Sequence, residues 1–121
     1  MFAAHFRLNN LIAFVDLNAQ QLDGSCDDVM YMGDMVDKWR SFGWFTQKIN
    51  GHDIDAVKGA IAEAKKQKDK PSVIILETIK GNGCLLAEGT FPNHHIAFTK
   101  EQIAPSLEKA EAALEAARAS L

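Results

Sequence analysis

Two apolar runs, the second rich in β-branched residues, constrain this chain most. Leu11-Ile-Ala-Phe-Val-Asp-Leu-Asn18 and Ser72-Val-Ile-Ile-Leu-Glu-Thr78 are nearly continuous rather than alternating. Such runs suit strands covered on both faces, as in a parallel sheet. Between and around them lie segments of helical period. Met30, Met35, Val36, Trp39 and Phe42 share one face of a helix over 30–42, stopped by Gly43. Ile54, Val57, Ala60, Ile61 and Ala64 stripe a helix over 54–67 that Asp53 can cap. Residues 44–50 read as a short polar strand near a sheet edge. The stretch 19–28 reads as loop, with Asp23-Gly24 as its turn. Residues 1–10 read as the tail of a helix with nothing to start it, which predicts an upstream part. Thr99 and Gln102 form a capping-box pattern before a helix over 100–120, half exposed because its apolar period is weak. The alternation predicts an α/β fold: three α/β/α layers around a mainly parallel sheet, built from βαβ units. Segments that follow the strands then gather at one edge, where such sheets bind ligands.

A chain of 121 residues is one domain's worth and buries enough surface to fold without a staple. Thirteen Lys and Arg against sixteen Asp and Glu leave a net charge of −3, which disfavours nucleic acid as the main partner. No apolar stretch approaches a membrane span, and no signal-like leader opens the chain. Cys26 and Cys84 fit no metal spacing and read as reduced thiols, so the expected location is the cytoplasm.

Three groups of residues could carry chemistry. Asp16, Asn18 and Gln20 place oxygen donors at alternate positions where the first strand ends, a pattern suited to magnesium or calcium or simply to shaping a turn. Ile79-Lys80-Gly81-Asn82-Gly83 follows the second strand. Its glycines allow close backbone approach and Lys80 offers a point charge for phosphate, but the spacing is not that of a Walker loop. It opens a loop of about twenty residues, a length that is usually functional. Within it, Asn93-His94-His95 could bind a metal, donate hydrogen bonds or shuttle protons. In an extended segment adjacent side chains point opposite ways, so one histidine would serve a given site. His52 reads as a turn and helix-start residue rather than a ligand. Trp39 and Trp44 read as core and interface residues.

In this order, NLIAFVDLNAQQLDG, DKWRSFGW, INGHDIDAVKGAIAEAK and KPSVIILETIKGNG resemble the thiamin-diphosphate-binding half of transketolases, from residue 1 to about residue 104. The likeness is nearest to the N-terminal subunits of split, two-chain transketolases. It implies that residues 1–121 are the C-terminal portion of a thiamin-diphosphate-binding domain. It also implies roles. Asn18 matches the family's magnesium-liganding asparagine and Gln20 the position that offers a backbone carbonyl to the same ion. Lys80 matches a lysine near the cofactor. His94, fourteen positions on, matches the histidine that contacts cofactor and substrate. Members usually read W-H-G there; this chain reads Asn93-His94-His95, and the spacing favours His94 over His95.

The implied activity is thiamin-diphosphate- and magnesium-dependent (or calcium-dependent) two-carbon ketol transfer between sugar phosphates, within pentose phosphate metabolism. The family's G-D-G motif, which supplies another magnesium ligand, falls upstream of Met1. The pyrimidine-binding domain, which supplies the glutamate that activates the cofactor, is a separate chain in split enzymes. The expected partner is therefore that pyrimidine-binding subunit, in a homo- or hetero-oligomer, and the chain alone is expected to be inactive and to bind the cofactor weakly. Exposed sheet edges point the same way. The alternative is a non-catalytic remnant or interaction module that pairs with a full-length partner.

Overall fold

The computed structural model describes residues 1–91 and 93–120; Pro92, inside the expected long loop, and Leu121 lie outside the described residues. A three-stranded sheet holds the molecule together. Its strands are β1 (Ile12–Leu17), β4 (Phe45–Asn50) and β5 (Ser72–Glu77), in the order β1-β5-β4 and all parallel. In register, Ile12 and Phe45 both stand opposite Ser72, and Leu17 and Asn50 both stand opposite Glu77. The most β-branched run is thus the central strand, paired on both sides. The polar run 44–50 is the edge strand its composition predicts.

Helices cover both faces, which gives the expected three layers. On one face lies α4 (Ile54–Ala64). The small side chains Ala60 and Ala64 let it approach the sheet and form the core with Ile74, ringed by Ile12, Ile49, Ile61 and Leu76. Gln47 Nε2 donates to Ala60 O at 2.8 Å, tying the same face of β4 to the helix. Side chains alternate along a strand, so Leu17 and Lys48 face the other way. There they line a pocket with Met35 and Val36 of α3 (Met35–Ser41). Each fully buried aliphatic side chain here is worth about 1.5–3 kcal/mol.

Caps set the helix limits. Asp53 Oδ1 accepts from Asp55 N and Ala56 N at 2.9 and 3.0 Å and starts α4. Its last turn tightens: Lys66 N donates to Glu63 O and Gln67 N to Ala64 O, so the regular helix stops at Ala64 rather than reaching residue 67. The helix expected over 30–42 begins only at Met35. Gly33 adopts φ +61° and Asp34 caps the helix by accepting from Asp37 N at 3.0 Å, which leaves Met30–Asp34 outside it.

The stretch 19–28 is more ordered than a plain loop. Gln20–Gln21 (β2) and Gly24–Ser25 (β3) pair antiparallel around Leu22-Asp23, and Ser25 caps the short helix α2 (Cys26–Val29). Phe2–His5 forms α1, and Lys100–Ala119 forms α5 behind the predicted capping box of Thr99 and Gln102. Among the described residues, no helix is long and apolar enough to cross a membrane.

Candidate functional site

Parallel strands end on one side of the sheet, so β1, β4 and β5 deliver their following segments to the same edge. Asn18 to Gln20 leave β1, Gly51 and His52 leave β4, and Thr78 to Lys80 leave β5.

The β1 end is shaped by an Asx turn: Asn18 Oδ1 accepts from Gln20 N at 2.9 Å. Ala19 between them takes φ +60°, a left-handed conformation that costs a non-glycine residue about 1–2 kcal/mol. Asp16 joins two strand ends. Its Oδ2 accepts from Asn18 Nδ2 at 3.3 Å, and its Oδ1 accepts from the hydroxyl of Thr78, just past β5.

The segment after β5 is a chain of turns. Asn82 N donates to Ile79 O, Cys84 N to Gly81 O and Ala87 N to Cys84 O. Gly81 has φ +77°, and a Cβ there would lie 2.7 Å from the Ala87 carbonyl carbon and oxygen. The segment folds back on itself, with Gly89 N donating to Lys80 O at 3.1 Å and Asn93 Nδ2 to Ala87 O at 2.8 Å. This return brings His94 to Lys80: the Nζ and Nδ1 atoms stand 3.4 Å apart.

A cavity of about 290 Å³ is lined by Gln20, Lys80, Asn93 and His94, with the β2–β3 turn and Phe91. Gln20 Nε2 donates to Thr90 O at 3.5 Å. Beside the cavity runs an open cleft of about 700 Å³ lined by Asp16, Asn18, His52, Thr78 and Lys80. Lys80 borders both. The structure thus gathers Gln20, Lys80 and His94 around one cavity and sets Asn18 in the cleft next to it. His95 does not line either. The two histidine rings do not diverge as an extended backbone would make them. They meet edge to face at 4.6 Å, because the chain bends at both residues. His52, expected only to shape a turn, borders the cleft; the signal for it is its place two residues beyond a strand that ends at this edge.

The groups present suit a metal-chelated diphosphate in kind. Lys80 supplies a cation at the cavity. Among the described residues the Asn18 carboxamide oxygen accepts one hydrogen bond, which leaves a second lone pair. Asn93 Oδ1 is buried with no partner among the described residues. Among the described residues, no cluster of three His, Cys, Asp or Glu side chains could hold a metal ion. A magnesium ion here would need phosphate oxygens, water or outside donors to complete its octahedron.

Comparison with known proteins agrees with this architecture. The family model for the transketolase thiamine diphosphate binding domain matches residues 1–115. A 6-deoxy-6-sulfo-D-fructose transketolase subunit from Clostridium sp. (strain MSTE9) is 44% identical over 84% of this chain and 37% of its own length. An apulose-4-phosphate transketolase subunit from Phocaeicola vulgatus is 32% identical over 84% of this chain and 36% of that protein. The chain therefore spans little more than a third of these relatives. Among solved structures, transketolase from Campylobacter jejuni superposes with a TM-score of 0.81 at 27% identity, over 91% of this chain and 17% of the other. On the match across residues 1–115 and on the fold, the chain belongs to the transketolase thiamine-diphosphate-binding domain family.

Proposed function

We propose that this chain is the thiamin-diphosphate-binding part of a transketolase, either an N-terminal subunit or a portion of one, acting in two-carbon ketol transfer between sugar phosphates. The observation that carries the reading is the meeting of Lys80 and His94 at 3.4 Å on the cavity that Gln20 also lines. The family match over residues 1–115 supports it. When bound, thiamin diphosphate supplies the electron sink for breaking and making the carbon–carbon bond.

The chain's own residues hold and orient. Asn18, through its free lone pair, and Gln20, through its backbone carbonyl, serve as oxygen ligands to magnesium or calcium at the diphosphate. Lys80 neutralises charge at the cavity mouth. His94 is the catalytic residue of the set: its ring borders the cavity, and with Nδ1 turned to Lys80 it holds or passes a proton at Nε2 to a substrate oxygen. His95, outside the lining, has no part in this.

The complementary pyrimidine-binding part comes from another domain or subunit. Two observations support that: two relatives that match this chain are themselves named as transketolase subunits, and no cluster of three His, Cys, Asp or Glu side chains among the described residues could hold a metal ion by itself. The isolated chain is accordingly inactive and binds cofactor weakly or not at all.

Calorimetric titration with thiamin diphosphate and magnesium tests this reading. The expected result is no resolvable heat for the chain alone. Binding and ketol transfer are expected once it is joined to a family segment that carries G-D-G and assembled with a pyrimidine-binding subunit of a two-chain transketolase. Micromolar binding by the chain alone overturns the dependence on a partner. Failure of every such assembly to bind the cofactor overturns the transketolase reading in favour of a non-catalytic pairing module.

A further inference from the structure

We infer that His52 is a positioning residue: its imidazole fixes the first backbone unit beyond β5 and so determines where Lys80 stands against His94. The functional weight of this rests on the role proposed above for Lys80 and His94; the positioning itself rests on geometry.

The hydrogen-bond ladder of β5 ends at Thr78, whose N–H donates to Leu17 O at 3.3 Å. Ile79 N is the next amide and has no strand to bond. His52 Nε2 accepts from it at 2.7 Å, across 27 positions of sequence. On the other side of Lys80, its carbonyl accepts from Gly89 N at 3.1 Å. Lys80 is therefore held at both flanks, and the amino-side hold is a side chain from a different strand's turn.

That turn is built to aim the ring. Asn50 Oδ1 accepts from His52 N at 2.9 Å, and Asp53 is committed to capping α4. Gly51 lies flush against β5: its N–H donates to Glu77 O at 2.8 Å, and a Cβ on it would stand 2.5 Å from Thr78 Cγ2 and 2.9 Å from Leu76 Cβ. With its backbone fixed on both sides, His52 reaches Ile79 without ordering a flexible segment. An accepting Nε2 requires the proton on Nδ1, so the geometry also assigns the tautomer. A residue that only started the helix would have no use for this bond, because Asp53 does the capping.

Nuclear magnetic resonance on the isotopically labelled full chain tests the inference. In the unaltered chain, a scalar coupling across the hydrogen bond between Ile79 N and His52 Nε2 is expected, with the imidazole in the Nδ1–H tautomer. In His52→Ala, hydrogen exchange at Ile79 is expected to accelerate about five- to tenfold, the worth of one hydrogen bond. The proximity signal between Lys80 and His94 should be lost, while exchange within β5 stays as it was. His52→Gln, which restores an acceptor, should recover the Lys80–His94 signal.

The inference is overturned by no coupling in the unaltered chain. It is equally overturned by a rise in exchange spread evenly over the sheet in His52→Ala, or by a Lys80–His94 contact indifferent to that substitution. If His52→Ala does not fold, the coupling in the unaltered chain and the behaviour of His52→Gln decide. Failure of the partner-assembled protein to bind thiamin diphosphate would overturn the proposed function and leave the coupling in place, so the two failures are distinct.

Discussion

β5 and α5 are both rich in residues that bury well, and they end at opposite extremes. Val73, Ile74 and Ile75 are wholly buried, each strand edge of β5 is paired, and both faces are covered. The twenty residues of α5 include none that is buried; Ile103, Leu107 and Leu114 are 37%, 56% and 50% exposed. An apolar residue contributes only when something faces it. β5 has neighbours on every side, whereas α5 stands on its capping box, its Ala and Glu propensity and one surface pair, Arg118 with Glu115 at 3.2 Å. Pro105 weakens it further, because a proline past the first turn donates no bond to the carbonyl four residues back. Tertiary burial holds the sheet, and local chemistry holds the helix.

Perturbations at the two places should therefore differ in size and reach. Ile74→Ala removes the centre of the core and is expected to cost about 2–5 kcal/mol. Urea denaturation followed by fluorescence of Trp39 and Trp44 reads it, and a loss below about 1 kcal/mol would show that β5 is not the keystone described. Gly51→Ala forces a Cβ toward Thr78 and Leu76. The expected cost is about 1–3 kcal/mol in the same assay, since two packed strand ends must give way.

Thr99→Ala removes the cap of α5, and about 1 kcal/mol of helix stability should go with it. Here the reach is the sharper readout: helical circular dichroism falls while the urea midpoint of the sheet stays in place. A midpoint that moved with it would mean that α5 is coupled to the sheet after all.

Acid supplies the smallest effect. Hydrogen bonds from the backbone amide of Glu101 and from Thr99 hold its carboxyl below the ordinary value of 4.5. A carboxylate with a lowered folded pKa stabilises above its unfolded value, and the contribution is lost as pH falls through the folded one. Helicity of α5 should therefore hold near neutrality and decline only below about pH 4.5. Thr99→Ala should shift that decline toward higher pH.

The same contrast explains what was legible from sequence. The strand runs 11–18 and 72–78 and the stripe of α4 announce themselves because burial on a regular element writes a period. Asp53, Gly43 and the Thr99–Gln102 box announce helix limits because cap chemistry is local. Two-residue strands such as Gln20–Gln21 and Gly24–Ser25 are too short to carry any period, so the small hairpin reads as loop. The late start of α3 depends on the positive φ of Gly33, which the apolar face of 30–42 hides.

Part of the candidate site follows from topology. Once the sheet is parallel, the ends of β1 and β5 must share an edge, and Asn18 and Lys80 come with them. The approach of His94 to Lys80 depends on the turn-by-turn path of residues 79–94, which no periodicity encodes. The hold of His52 on Ile79 N spans 27 positions and leaves no local signature.

One feature of β1 sets a condition on how such a chain can be handled. Among the described residues the strand pairs only with β5, and Phe14 at its middle is 50% exposed. Its outward amides and carbonyls form a bare rail on which any extended backbone can dock, with no lysine or proline along it to turn one away. Concentration is then the quantity to watch: an uncovered edge of this kind favours strand addition between copies, and that encounter grows more frequent as the chain is concentrated.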